Sequence, residues 1–170
     1  MGEILVENYV NYYKLKACVL RISWVYGPQI LNKKINVQRG PIPYILNNLF
    51  IKKNNSIKFS GGGDFKASFT YIDDVIEAIN NLLSSKKYQY VYYHLGTGVN
   101  NSNFDVAKII NKLFPRKNIK FGKNKQPWSN ESVTRGPLIG RNLNNEFGYK
   151  MKYNIKSGIK EYIKKIIKNA

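Results

Sequence analysis

Acidic side chains are scarce in this sequence, and cysteine and histidine each occur only once. The 170 residues include 28 Lys and Arg against 10 Asp and Glu, which gives a formal net charge of +18. The single cysteine, Cys18, excludes an internal disulfide, and its apolar neighbours favour a small buried residue over a nucleophile. His94 lies in an apolar-rich stretch far from Cys18 along the chain. The sequence therefore predicts no zinc site and no Cys–His catalytic pair.

Long hydrophobic runs are also absent. No stretch approaches the roughly 20 apolar residues that a membrane-spanning helix needs. The N-terminal residues include Glu3 and Glu7 and show no signal-peptide pattern. With the lone cysteine, these features predict a cytoplasmic protein without a membrane partner.

The excess of positive charge by itself suggests a polyanionic partner. Lysine is spread over nearly the whole chain, however, and greatly outnumbers arginine. Such a distribution indicates a general drift in composition more than a binding patch. We therefore expect nucleic-acid binding, if present, to be weak and non-specific. A basic module that binds nucleic acid or protein is kept as the alternative to the function derived below.

Strand and helix patterns alternate along the chain, which predicts an α/β fold. Apolar residues at helical spacing predict a first helix over residues 2–13. The nearly continuous apolar run over residues 16–22 predicts a strand that is covered on both faces. Further strands are predicted at 57–59, 69–72, 90–95 and 118–121, and further helices at 42–51, 75–84, 104–114 and from 155 onward.

Several polar residues and glycines mark the ends of these elements. Asp73 or Asp74 is expected to cap the helix that follows, and Asn154 the last helix. Gly61–Gly63 and Gly96–Gly98 lack the further residues of a phosphate loop or a dinucleotide fingerprint, so we interpret both as turns. The predicted loop over residues 122–140 contains Trp128 and Arg135, and loops of that length are often functional.

Four groups of segments occur in a fixed order along nearly the whole chain. They are GEILV (2–6) with VLRISWVYGP (19–28); GPIP (40–43), SGGG (60–63) and SFTYIDDV (68–75); YHLGTG (93–98); and RGPL (135–138), FGYK (147–150) and GIKEYI (158–163). In this order they resemble the extended short-chain dehydrogenase/reductases. These are the NAD-dependent nucleotide-sugar epimerases and dehydratases related to UDP-glucose 4-epimerase.

The resemblance implies the last strands of a partial Rossmann-type parallel sheet and a small α/β substrate-binding lobe. Residues 1–30 would be the remnant of the Rossmann domain. Residues 31–170 would form the lobe, with the strand at 90–95 returning to the Rossmann sheet. In the family, the glycine-rich NAD loop and the catalytic Tyr-x-x-x-Lys precede the position of Gly2–Glu3. No Tyr-x-x-x-Lys occurs at the matching place here, so we expect no catalytic residue, no NAD bound by this chain alone, and no activity alone.

The same resemblance implies a set of binding residues. Those near the cofactor would be Tyr26, Gly27 and Pro28, and those near the nucleotide sugar would be Trp24, Lys66, Phe69 and Arg135. The family's first arginine on the diphosphate falls at Ala67, and Lys66 could replace it only as a point charge. The alternative is that Trp24, Tyr26 and Phe69 serve packing alone.

The expected partners also follow from the resemblance. They are a nucleotide-sugar substrate, a separately encoded N-terminal half, and a second copy that pairs through the first helix. No metal is expected.

Overall fold

The structure, a computed structural model, describes residues 1–28, 40–128 and 136–168. The helices are α1 (Gly2–Tyr13), α2 (Pro41–Leu46, continued by a π-helical turn at Asn47–Ile51), α3 (Ile72–Ser84), α4 (Asn103–Leu113), α5 (Arg141–Phe147) and α6 (Ile155–Lys168). The strands are β1 (Val19–Ile22), β2 (Trp24–Tyr26), β3 (Ser56–Gly62), β4 (Lys66–Ala67), β5 (Phe69–Tyr71), β6 (Tyr92–Leu95), β7 (Asn101–Ser102) and β8 (Asn118–Gly122). The predicted α/β class is confirmed.

The strands form short pairs, most of them parallel. β1 pairs with β6, β2 with β5 and β3 with β8 in parallel, whereas β4 and β7 are antiparallel. Each parallel pair is joined by long connections, and helices lie within them, because parallel strands cannot be linked by a tight turn. The pairing of β6 with β1 joins residues about 70 positions apart in the chain, from Val19 with Tyr92 to Ile22 with Leu95.

Strands β1 and β2 are consecutive parts of one extended segment, and this segment changes partner at Ser23. The Ser23 amide donates to the Leu95 carbonyl at 2.9 Å, whereas the next amide, that of Trp24, donates to the Ser68 carbonyl at 3.1 Å. One stretch of backbone therefore joins the β1–β6 pair to the β2–β5 pair.

Two hydrophobic clusters contact this segment, the larger through Tyr26 of β2 and the smaller through Leu20 of β1. The larger cluster is formed by α2, α4, α6 and the strands between them, and it includes Ile42, Phe69, Tyr71 and Ile159. The smaller cluster is formed by α3, β6 and α5, and it includes Leu82, Tyr93 and Leu143. Ile72 contacts both clusters, so the start of α3 connects them.

The prediction that the first strand is covered on both faces was wrong. The strand is shorter than residues 16–22, and Arg21 and Ile22 are exposed. Helix α1 has the predicted bounds, yet none of its residues is buried. Leu20 packs on the smaller cluster, whereas the far end of the strand is open to solvent. Within the described residues, β1 has a strand partner only in β6.

Polar contacts attach α1 to this small sheet. Arg21 Nη2 lies 2.5 Å from Glu3 Oε2, and Arg21 Nε donates to both Glu3 oxygens. The Arg21 guanidinium also stacks 4.8 Å from the ring centre of Tyr92, whose hydroxyl donates to Glu7 at 2.7 Å. The hydrogen bond from Arg21 lowers the pKa of Glu3. Two carboxylates of α1 therefore secure a helix that lacks a buried apolar face.

The expected cap of α3 by an aspartate was also wrong. The helix begins at Ile72 after Tyr71, and no side chain caps it. Asp74 is fully buried and instead accepts from the amides of Lys152 and Tyr153, at 2.8 and 3.2 Å. Burial raises the pKa of Asp74, and these hydrogen bonds oppose the increase. Asp74 thus fixes the chain before α6 onto α3, a long-range contact that local sequence does not reveal.

The predicted cap of the last helix is confirmed, whereas the predicted glycine turn is shorter than expected. Asn154 Oδ1 accepts from the Ser157 amide at 2.9 Å, which confirms the expected cap of α6. Helix α4 has a complete capping box between Ser102 and Asp105. Gly61 and Gly62 belong to β3, so the predicted turn begins only at Gly63.

Replacing Asp74 should destabilise the fold far more than replacing its neighbour Asp73. Asp74→Ala removes the buried acceptor of the part-buried Lys152 and Tyr153 amides, so we expect a loss of about 2–3 kcal/mol in the free energy of unfolding. Asp73 forms a part-exposed ion pair with Lys165, and Asp73→Ala should cost less than about 1 kcal/mol. Urea denaturation of both variants measures the difference, and equal losses would contradict the assigned role of Asp74.

Helix α1 should detach when its link to Arg21 is removed. In Arg21→Ala we expect faster hydrogen exchange at the α1 amides and unchanged exchange in α4 and α6. Arg116→Ala, which removes an exposed arginine away from α1, is the matched control. Slow exchange in α1 of the Arg21 variant would show that other contacts hold the helix.

Candidate functional site

The carboxyl ends of β1 and β6 meet at Ser23 and Gly96. In open α/β sheets, ligands bind outside the carboxyl ends of the strands, where neighbouring connections diverge. Here a Cβ atom at Gly96 would lie only 2.7 Å from the Leu138 carbonyl oxygen and 3.1 Å from Ser23 Oγ. Glycine is therefore required for this close approach. The Gly98 amide donates to Leu138 O at 3.0 Å, which brings the chain before α5 to the same place.

Hydroxyl groups gather at this end of the strands. Ser23 Oγ and Thr70 Oγ1 are hydrogen-bonded at 2.5 Å, and Ser68 Oγ and Thr97 Oγ1 at 3.3 Å. Thr70 is fully buried and Ser68 nearly so. Sequence reasoning did not single out these residues. The signal that could have identified them is the presence of small polar side chains at the end of an apolar strand and just after another.

Trp24 is the large side chain that faces outward here. It is 39 % exposed, and its ring stands edge-on to Phe65 with the centroids 5.0 Å apart. Gly40 adopts a positive φ of 91°, and a Cβ atom there would lie 2.8 Å from Trp24 Nε1. The indole therefore lies between Phe65 and the backbone that leads into α2, with part of its surface open to solvent.

Tyr26 and Phe69 lie in the core instead. They are 3 % and 1 % exposed, and their rings contact each other edge-on. The Tyr26 hydroxyl fits against Gly158 of α6, where an added Cβ would overlap it. Burial raises the pKa of Tyr26, so this hydroxyl stays protonated. Packing thus occupies both side chains, and only their backbone could reach a ligand.

Gly27 and Pro28 are half-buried after β2. A Cβ atom at Gly27 would overlap the Ile72 side chain, so glycine is needed where β2 passes the start of α3. Gly27 and Pro28 therefore expose only backbone atoms and the proline ring to a possible ligand.

Of the two residues expected on the phosphates, Lys66 lies in the described part of the chain. Lys66 is exposed on β4, next to Ala67, which packs on the larger core. Successive residues of a strand point to opposite faces, so Lys66 does not occupy the position of an arginine at 67. The hydrogen bonds of Ser102 chiefly lower the pKa of Asp105, and the charge of Lys66 contributes to that lowering, which places Lys66 near the start of α4. Arg135 lies outside the described residues.

A second group of polar atoms lies around Gly62. Asn103 is fully buried and donates from Nδ2 to Gly62 O at 2.8 Å, while its Oδ1 has no hydrogen-bond partner. Trp128 Nε1 is likewise buried without an acceptor, and it would lie 2.9 Å from a Cβ atom at Gly62. Sequence reasoning noted Trp128 only as part of a loop and missed Asn103, because a long-range contact brings the two residues together.

Metal chemistry finds no support in the described parts of the chain, where no cluster of His, Cys, Asp and Glu could hold an ion. Over the same residues, no helix has the length and apolar character to cross a bilayer.

Comparisons with known proteins agree on one family. The model of the NAD dependent epimerase/dehydratase family matches residues 1–96. The chain is 34 % identical over 109 residues to a dTDP-D-glucose 4,6-dehydratase of Dictyostelium discoideum, covering 64 % of this chain and 23 % of that protein. It is 28 % identical over 117 residues to the human dTDP-D-glucose 4,6-dehydratase, covering 69 % of this chain and 31 % of that protein.

Solved structures of the same kind share the fold. The dTDP-glucose 4,6-dehydratase of Bacillus anthracis in complex with NAD matches 98 % of this chain with a TM-score of 0.72 and 22 % identity. The UDP-glucose 4-epimerase of Thermotoga maritima with UDP-glucose matches 98 % with a TM-score of 0.72 and 19 % identity. This chain spans 50 % and 51 % of those two chains.

The position of Trp24 should depend on Gly40. A Cβ atom in Gly40→Ala would collide with the indole nitrogen, and the positive φ adds strain. In a Trp128→Phe background we expect the remaining tryptophan emission to shift to longer wavelength as the ring moves into solvent. Gly136→Ala, which meets no atom within 4 Å, is the control. An unchanged spectrum for Gly40→Ala would contradict the packing described for Trp24.

Proposed function

The chain belongs to the NAD dependent epimerase/dehydratase family, and we propose that it is the C-terminal, nucleotide-sugar-binding portion of such an enzyme. In this proposal the glycine-rich NAD loop and the catalytic Tyr-x-x-x-Lys reside on an N-terminal half, and the 170 residues alone are inactive. The observation that carries the proposal is a parallel sheet reduced, in the described residues, to the β1–β6 pair.

One edge of β1 has no strand partner in the part of the chain that the structure describes, and this edge could accept an additional strand. The amides of Val19 and Ser23 donate to carbonyls of the β6 segment. Backbone groups alternate in direction along a strand, so those of Leu20 and Ile22 point to the opposite edge. An unpaired parallel edge recruits another strand, and parallel sheets are normally covered on both faces. A strand of the N-terminal half would pair with this edge, and the helices of that half would cover the faces of the sheet.

The surface of α1 supports the same partner. Ile4, Leu5, Tyr9 and Tyr12 are each more than half exposed, and the helix buries no residue. Exposed apolar residues grouped on one element mark an interaction site. The similar solved chains are about twice as long as this one, so an N-terminal half is the partner of matching size. A second copy that pairs through α1 is the competing occupant.

NAD would be held mainly by that N-terminal half. Within the described residues, Tyr26 is occupied by core packing, and only Gly27 and Pro28 remain near the expected cofactor position. These residues do not by themselves make a dinucleotide site, and we derive no catalytic step through NAD from this chain.

The nucleotide sugar would contact the surface around Trp24. The outward indole supplies an apolar face, the partly exposed Ser23 hydroxyl a hydrogen-bonding group, and Lys66 a cation for phosphate, while the buried Thr70 holds the Ser23 hydroxyl in place. Similar proteins are named for dTDP-glucose and UDP-glucose, so these are the substrates to test. With alanine at 67, we expect a weak grip on the diphosphate.

Co-expression with the N-terminal half of a relative tests the proposal. We expect the two polypeptides to co-purify and to convert dTDP-glucose or UDP-glucose with NAD, and the isolated chain to show no turnover. Leu5→Asp on α1 should abolish co-purification. Leu83→Asp, on a side chain that is 73 % exposed on α3, should preserve it.

Turnover by the isolated chain would overturn the proposal. So would an isolated chain that forms an α1-dependent dimer and captures no N-terminal half. Size-exclusion chromatography of the Leu5→Asp and Leu83→Asp variants separates that second outcome from simple misfolding.

A further inference from the structure

The β3–β8 pair presents two lysines side by side. Its register places Ile57 beside Ile119 and Lys58 beside Lys120. Phe59 and Phe121 are also partners, and their rings stack with centroids 4.4 Å apart on the side of the larger core. Since side chains alternate between the faces of a strand, Lys58 and Lys120 lie together on the opposite, exposed face, on strands about 4.8 Å apart.

More positive charge joins this pair at the start of the two strands. Lys117 Nζ donates to Asn54 O at 2.8 Å and to Asn55 Oδ1 at 3.1 Å, which places it beside the loop that leads into β3. The residues of this surface, which we term the basic face, are Lys52, Lys53, Lys58, Arg116, Lys117 and Lys120.

Acidic residues are missing from both segments that build the basic face. Residues 47–62 and 111–122 contain no Asp or Glu. The ion pairs found among the described residues involve other basic side chains, namely Arg21, Lys152, Lys164 and Lys165. Like charges directly opposite each other on neighbouring strands are destabilising. Binding of an anion would relieve that repulsion.

We propose that the basic face binds the phosphate backbone of double-stranded nucleic acid, without reading the bases. The aromatic residues of the two segments, Phe50, Phe59, Phe114 and Phe121, pack on the core. The face therefore lacks the stacking platform that single-stranded nucleic acid uses. Ile51 is the sole large apolar side chain exposed in these segments, which disfavours a lipid surface. Lysine ammonium groups act as point charges and suit backbone contacts.

This activity is separate from sugar chemistry and does not depend on the proposed function. The sequence, with lysine spread along the chain, led us to expect no dedicated patch. The parallel pairing of β3 with β8 brings together basic residues that are about 60 positions apart in sequence, and this tertiary arrangement supports a dedicated surface.

Fluorescence anisotropy with a labelled 20-base-pair DNA duplex of mixed sequence tests the proposal at several salt concentrations. The test variant is K58A/K120A in the 170-residue chain. The control is K86A/K87A, which removes the same charge from two exposed lysines after α3. If both test lysines contact phosphates, the slope of log K against log salt should become shallower by about 1.8. The control should keep the wild-type slope.

Equal weakening by the two variants would overturn the proposal, because binding would then follow net charge alone. Tighter binding to a single strand of the same length, to poly-glutamate or to anionic lipid vesicles would also overturn it. Thermal unfolding serves as a folding check, since K58A/K120A relieves a like-charge contact and should be at least as stable as the wild type.

Discussion

The extended segment from Val19 to Tyr26 is the constraint on which the rest of the structure depends. Its first half pairs with β6 and its second half with β5. The change of partner occurs between two adjacent amides, those of Ser23 and Trp24. Because both pairs are parallel, each partner strand must arrive through a long connection. Helices α2 and α3 lie in those connections, and each contributes to one of the two hydrophobic clusters. The carboxyl ends of β1 and β6 meet at Ser23 and Gly96, next to Trp24.

The two sides of this segment differ in how complete they are. On one side, α2, α4 and α6 close around a core whose central residues, such as Ile42 and Ile159, are fully buried. On the other side, β1 has one strand partner among the described residues, and α1 rests on the sheet through carboxylate contacts. The part with its own core can fold without further contacts. The two-stranded sheet with its exposed helix leaves a strand edge and apolar side chains uncovered, and this difference underlies the proposed need for an N-terminal half.

The few acidic side chains that the structure describes are all engaged in internal contacts. Every carboxylate in the described residues has an internal partner: Glu3 with Arg21, Glu7 with Tyr92, Asp64 with the Asn124 amide, Asp73 with Lys165, Asp74 with the Lys152 amide, Glu77 with Lys152, Asp105 with Ser102, Glu146 with the Gln89 amide and Glu161 with Lys164. None of these pairs involves Lys58 of β3 or Lys120 of β8. The net charge of +18 is therefore expressed at the surface, and it concentrates where acidic residues are absent.

The sequence alone determined the types of the longer elements but not the short strands β2, β4 and β7. It also determined the order of the segments that mark the family and the local cap at Asn154. These depend on residues only a few positions apart, so periodicity and cap chemistry can reveal them. It did not reveal that Asp74 would bind amides near residue 152, that Tyr26 and Phe69 would be buried, or that Asn103 and Trp128 would meet at Gly62. Nor did it show that Lys58 and Lys120 would be neighbours. Only the tertiary structure decided these points, because each depends on a contact between segments far apart in the chain, whose register is set by the packing of the whole core.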